Sequence, residues 1–347
     1  MSTAPHPVAT GGVAGGREVQ SPAAPRQPRI TAQQISALVP VALFLVLFFV
    51  MIAVQGEFSW PLLQTVLETT VPLLLISFGQ TLVILTGGID LSVGGIMSLV
   101  TAFVATKMTG DGDVASWLPL VLLIGLAGGT INGLLIVRTG IQPFIVTLAS
   151  WSVFAGLALL VLPTEGGTVA VGLSDALTGD AAGLPKAVWI LIVLVAIWLV
   201  LRRTRFGISV LSVGSNSSSA HLNGVPVKRT LVAVYALSGL FAALAGVYLS
   251  SAVTFSGSPV AGEPLILLSV AAVVIGGSSL AGGRGSYIGT ILGALSLSFI
   301  AQIVFFSGAE SYWSQFVQGL LVLGAVLLFS VVELVLRRRT TTAVEEV

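Results

Sequence analysis

Cysteine is absent from this 347-residue chain, which excludes disulfides, thiolate metal sites and a cysteine nucleophile. Histidine occurs only at His6 and His221, both in polar stretches that form no ligand cluster, so no metal centre is expected. Charge is scarce as well, at 8% of residues where a soluble domain carries roughly 25%. The net charge of +1 leaves no basic surface of the kind nucleic-acid binding requires, and that class is set aside.

What fills the chain instead is apolar: 55% of residues are hydrophobic and the mean hydropathy is +1.04, the composition of an integral membrane protein. Residues 1–35 are rich in Ala, Pro, Gly and Ser, lack a hydrophobic period and read as a disordered tail. They do not resemble a signal peptide, because the apolar run starts late and is long enough to span. Apolar stretches long enough to cross the hydrocarbon layer follow near 36–54, 62–86, 91–108, 117–137, 143–163, 187–201, 229–252, 266–281, 285–305 and 313–336. The expected fold is an all-α polytopic membrane protein with about ten transmembrane helices, organised as a transmembrane domain over 36–336 and a short tail over 337–347.

Basic residues are retained on the cytoplasmic side of a membrane. With the N-terminus placed inside, the inner set holds Arg17, Arg26, Arg29, Arg138, Arg202, Arg203, Arg205, Lys228, Arg229, Arg284 and Arg337 to Arg339, leaving only Lys107 and Lys186 outside. The outer loops hold Glu57, Asp111, Asp113, Glu165, Asp175, Asp180, Glu263 and Glu310. An even number of spans with both termini cytoplasmic preserves that split.

Three features stand out against the apolar background. The first is "ILTGGIDLSVGG", Ile84 to Gly95, at the inner turn between the second and third stretches. Gly87 and Gly88 permit a tight reversal, and Asp90 followed by Ser92 suits the start of the next helix. An acidic residue in or near the bilayer is also a functional-site candidate by default, so capping and a place in the transport pathway both stay open for Asp90. The second is a weaker repeat, "GGSSLAGGRG", in which Gly276, Gly277, Leu280 and Gly283 align with Gly87, Gly88, Leu91 and Gly94. Duplicated glycine-interrupted segments point to a pathway between repeats, although glycine pairs also serve tight helix packing alone. The third is the polar segment 202–229, longer than a connector needs, with a cap-rich run Ser215 to Ser219 leading into a short helix ended by Gly224 and Pro226. It suits docking of a soluble partner, or anchorage of its arginines on anionic lipid headgroups.

Four blocks then carry a resemblance: "GQTLVILTGGIDLSVGG" (79–95), "GTINGLLIVRTGIQPFIVTLAS" (129–150), "TRFGISVLSVGSNSSSAHLNGV" (204–225) and "AAVVIGGSSLAGGRGSYIGT" (271–290). In order and spacing they resemble the ribose-type permeases, the membrane subunits of bacterial ABC sugar importers. The resemblance implies a multi-pass subunit of the bacterial cytoplasmic (inner) membrane. Its partners would be an ATP-binding subunit on the cytoplasmic side, an extracytoplasmic sugar-binding protein and a second permease copy or paralogue. It implies no cofactor in this chain, with ATP and Mg used by the partner subunit, and none of the lysines closes a GxxxxGK pattern. The family's coupling helix, Glu-Ala-Ala, three residues, Gly, matches Ser218, Ser219, Ala220 and Gly224. Ser218 stands where Glu is usual and His221 where Arg is expected, which favours a dedicated ATPase partner.

Alternating access by such a subunit needs side chains that exchange hydrogen bonds with a sugar, and Gln80, Thr81, Asp90, Asn132, Gln142, Thr147 and Gln302 are the candidates within the spans. Interhelical hydrogen bonding is the competing role for each. A proton-coupled secondary transporter using Asp90 is the alternative, and a passive channel shares the same composition. An intramembrane hydrolase lacks a nucleophile paired with a base.

Overall fold

The computed structural model describes residues 32–57, 59–310, 312–324 and 327. The tails expected over 1–35 and 337–347 and the last part of the tenth expected stretch therefore lie outside the described residues, except that the first helix already begins at Ala32. The described chain is helical apart from its loops and one two-residue hairpin, Asp180–Ala181 with Leu184–Pro185.

Each apolar stretch within the described residues coincides with a helix. Six are long and apolar enough to cross a membrane: α1 (Ala32–Gln55), α2 (Trp60–Leu85), α4 (Asp111–Thr139), α5 (Pro143–Val161), α10 (Val227–Tyr248, prolonged by a π-helical turn Leu249–Thr254) and α12 (Tyr287–Phe306). Two others, α3 (Ser92–Lys107) and α11 (Glu263–Ile275), are shorter. On the acidic side a short α6 (Val171–Leu177) precedes the hairpin. α7 (Lys186–Leu201) bends by 75° into α8 (Arg205–Ser215), which leads to the six-residue α9 (Ser217–Leu222). A last helical stretch covers 312–324.

The last two turns and middle of α2 are apolar on nearly every side, which is the pattern of a helix enclosed by protein, and 89% of its most apolar 18-residue window is buried against 11% of the corresponding window of α1 and 17% of that of α5. Around it stand α10, α12, α11 and α7. Phe78 in its C-terminal third stacks on Phe241 at 4.3 Å and meets Tyr287 edge-on at 4.6 Å, joining α2, α10 and α12 through aromatic contact. On the far side of α10, α4 approaches so closely that backbone meets backbone. A Cβ on Gly129 would fall 2.0 Å from the Tyr235 carbonyl oxygen, and one on Gly125 2.4 Å from that of Gly239. Small residues spaced by four along α4 (Gly125, Gly129, Gly133) make this crossing possible.

The short helices place the site. α3 packs mainly on α5 and α10. Ser92, its first residue, bonds Asn132, which lies seven residues or about 10 Å inward from the end of α4 at Thr139. The chain therefore runs from the end of α2 back into the bundle before α3 begins. α11 also starts inside: the Gly262 N–H donates to Ser98 Oγ of α3 at 3.0 Å, and a Cβ on Gly262 would fall 2.1 Å from the Gly94 carbonyl oxygen. Both α3 and α11 thus begin in the interior, with their N-termini converging.

Candidate functional site

The two glycine reversals are helix ends of one kind. After α2 the Gly87 N–H donates to Ile84 and the Gly88 N–H to Val83; after α11 the Gly277 N–H donates to Val274 and the Ser278 N–H to Val273. Both are Schellman motifs, with Gly87 (φ 83°) and Gly277 (φ 84°) in the left-handed position that favours glycine. The repeat is real in backbone terms, but its register differs from the alignment of Gly87 with Gly276: Gly277 is the structural equivalent. Gly88 and Gly276 are needed for space instead, since a Cβ there would fall 2.4 Å from Tyr235 Oη and 2.5 Å from Gly289 respectively.

Asp90, one residue before the Leu91 N-cap of α3, is fully buried. Its Oδ1 accepts from the Ser92 N–H at 3.0 Å and from Ser92 Oγ at 2.6 Å, so it caps the helix by occupying the first free donor, at the positive end of the helix dipole. Capping is only part of its place. Asn132 Nδ2 of α4 donates to Ser92 Oγ at 2.8 Å, and Ser150 Oγ of α5 donates to Asn132 Oδ1. A relay thus runs from Asp90 through Ser92 and Asn132 to Ser150, tying the reversal to three helices. The hydroxyls of Tyr235 and Ser238 on α10 lie beside the Asp90 carboxyl.

At its outer end the relay meets a groove of about 560 Å³ between the C-terminal half of α4 and α5. Asn132 and Ser150 lie at its floor, Asn132 itself buried, and the exposed lining is almost wholly apolar, Ile131, Leu135, Ile145 and Val153 among it. A mostly apolar concavity with a few convergent polar groups is the ordinary form of a small-molecule site.

The other expected pathway residues scatter. Gln80 is fully buried in α2 with neither amide atom partnered. Thr81 is buried and bonds Thr290 of α12 at 3.0 Å, an interhelical tie. Thr147 is buried and donates to the Ile89 carbonyl at 3.2 Å, holding α5 against the Asp90 loop. Gln142 is exposed at the N-cap of α5, and Gln302 is half-buried on α12, whose main neighbours are α1, α2 and α11. Of the seven, Asp90, Asn132 and Thr147 are brought together. Ser150, Tyr235 and Ser238 were not singled out from sequence, where their only signal was a hydroxyl inside an apolar run, and Ser92 was noted there only beside Asp90 at the start of the helix.

At the end of the bundle that carries Arg138, Arg202, Arg203, Arg205, Lys228 and Arg229, α9 stands out from the surface. Asn216 caps it by accepting from the Ser219 N–H at 2.8 Å. A third Schellman motif ends it: the Gly224 N–H donates to His221 and the Val225 N–H to Ala220, with Gly224 at φ 79°. Ala220 faces inward, 5% exposed, while Ser218, Ser219 and His221 are exposed and Leu222 is 86% exposed. A six-residue helix capped at both ends that presents a bare leucine is a built element rather than a slack loop. Among the described residues no group of three or more His, Cys, Asp or Glu could hold a metal ion.

Comparison with known proteins agrees with this architecture. Residues 62–326 match the family described as the branched-chain amino acid transport system / permease component. A probable ABC transporter permease protein, y4mJ, of Sinorhizobium fredii is 35% identical over 308 residues, 87% of this chain and 91% of that protein. The ribose import permease protein RbsC of Bacillus subtilis is 39% identical over 258 residues, 73% of this chain and 80% of its own length. The autoinducer 2 import system permease protein LsrD of Yersinia enterocolitica is 33% identical over 261 residues, 73% of this chain and 78% of its own. No solved structure matches. Six long apolar helices, the paired glycine reversals and this likeness over most of the chain agree: the chain belongs to the ribose-type family of ABC transporter permeases.

Proposed function

We propose that this chain is the permease of an importer that carries a monosaccharide or similar small polyol across the bacterial cytoplasmic membrane by alternating access, driven by a separate ATP-binding subunit. The observation that carries this reading is α9, an exposed, doubly capped helix at the basic end of the bundle. The chain has no phosphate-binding loop, so the energy is supplied through a docking surface, and α9 with Ser218, Ser219, Ala220, His221 and Gly224 is its candidate. The groove between α4 and α5 is the candidate sugar path, with Asn132 and Ser150 offering an amide and a hydroxyl to a polyol. α5 is largely exposed, and a second permease copy or paralogue against it would close the groove. An extracytoplasmic binding protein would deliver the sugar to the acidic end, and Asp90 serves as an internal tie rather than a proton carrier.

The relatives' names favour a sugar, whereas the family description names branched-chain amino acids. The test is reconstitution in liposomes with the ATPase and binding protein encoded beside this chain, measuring ATP hydrolysis against pentoses, hexoses, autoinducer-like polyols and branched-chain amino acids. Stimulation that requires this chain and a sugar-loaded binding protein supports the reading. Stimulation only by amino acids would redirect the substrate class, and proton-driven uptake by this chain alone would overturn the ATP-driven mechanism.

A further inference from the structure

The two glycine reversals and the end of α8 meet in a contact made almost wholly of backbone. The Gly283 N–H donates to the Leu85 carbonyl at 2.9 Å, so the loop after α11 is hydrogen-bonded to the last residue of α2. Gly214 of α8 presses into the same place: a Cβ there would fall 1.8 Å from the Leu85 oxygen and 2.5 Å from the Gly283 nitrogen. A Cβ on Gly282 would fall 2.9 Å from the Gly87 nitrogen and 3.0 Å from the Gly214 oxygen, and one on Gly283 would fall 2.8 Å from the Ser215 Cα. Three segments far apart in sequence share one joint in which backbone meets backbone and the Ser215 hydroxyl is the one side-chain atom among the nearest neighbours of Gly214, Gly282 and Gly283.

Backbone-to-backbone contact has no rotamer that could absorb a displacement. Ser215, at the end of α8, is two residues from the start of α9, while Leu85 ends α2 just before the loop into α3 and Gly283 lies in the loop that leads into α12. On the reading of α9 as the ATPase docking helix, we infer that Gly214, Gly282 and Gly283 form a rigid transmission joint through which a push on α9 moves both glycine reversals as one body. One of those reversals carries Asp90 and leads into the relay that ends at the groove, so the joint links the energy source to the candidate sugar path. Gly214 is a positioning residue in this scheme: it touches neither sugar nor nucleotide.

The chain has no cysteine, so spin labels can be introduced cleanly at Ser215→Cys with Ala281→Cys across the joint, and at Ser218→Cys with Asp175→Cys across the whole bundle. All four positions are exposed. In the complex with ATPase and binding protein, the distance across the bundle is expected to change between the nucleotide-free and vanadate-trapped states, and the distance across the joint to stay constant within about 2 Å, less than a one-turn helix shift. A joint distance that changes by about 5 Å, or a bundle distance that stays fixed, would overturn the inference. In parallel, Gly214→Ala is expected to retain the ATPase while sugar uptake and stimulation by the binding protein fall at least about tenfold. Wild-type uptake by Gly214→Ala would also overturn it, and if that variant does not assemble, the label pairs decide. Failure of the unsubstituted chain to retain the ATPase would overturn the docking role of α9 instead, and this inference with it.

Discussion

Asp90 is the only charged side chain that is fully buried among the described residues, and its fixed partners are the hydroxyl and N–H of Ser92. Replacing it by Ala removes the acceptor of two buried donors, each orphan costing about 1–3 kcal/mol. Asp90→Ala is therefore expected to lower the melting temperature of the purified complex and to impair uptake. Asp90→Asn, which keeps an acceptor oxygen toward Ser92, is expected to recover most of the stability. A calorimetric scan beside an uptake assay separates the two, and unaltered uptake in the Ala variant would remove Asp90 from the transport machinery. The sequence reading left a cap and a pathway residue open; the structure makes Asp90 a cap and also the first member of a relay.

At the scale of elements, close crossings and glycine-terminated ends hold the bundle in shape. Gly129→Ala would drive a methyl group to 2.0 Å from the Tyr235 carbonyl, and overpacking of that kind costs about 1–3 kcal/mol or more. Thermal inactivation at a lower temperature is the expected outcome. Gly156→Ala in α5 has nothing within 4 Å of the new Cβ and is the control, expected to be neutral or to gain up to about 1 kcal/mol of helix propensity. Equal melting temperatures for the two variants would contradict the packing drawn for α4 against α10. Gly224→Pro acts differently: proline cannot adopt φ 79°, and it deletes the N–H bonded to His221. The variant is expected to insert normally and to lose ATPase stimulation and uptake together, while wild-type rates in both assays would show that the end of α9 does not matter for coupling.

For the whole molecule, the loop charges along the sequence divide into a basic set assigned to the inner face and a largely acidic set assigned to the outer. Single cysteines placed in the cysteine-free chain read that topology directly. Ser218→Cys is expected to react with a membrane-impermeant maleimide only from the cytoplasmic side, and Asp175→Cys only from the outside. Leu222→Cys, at a position 86% exposed in the isolated chain, is expected to be shielded when the ATPase is bound. Labelling of Ser218 and Asp175 from the same side would refute the orientation argued from the basic residues, and undiminished labelling of Leu222 in the assembled complex would move the docking surface away from α9.

Composition by itself determined that the chain lives in a membrane, because apolar side chains at this density have no other solvent, and the apolar runs located the helices. The capping residues around Asn216 and Gly224 were legible for the same local reason: their hydrogen bonds close within a few residues. Tertiary structure alone decided where the shorter runs start within the bundle. α3 and α11 begin inside the bundle because their first turns are held by distant residues, Asn132 for one and Ser98 for the other, and an apolar run does not record where it stops relative to its neighbours. It also decided the register of the repeat, since Gly87 and Gly277 are paired by backbone angle and not by the letters around them. The meeting of Gly214 with Leu85 and Gly283 was likewise invisible beforehand. A glycine in a sequence shows that space could be needed, and only the fold shows what comes close enough to need it.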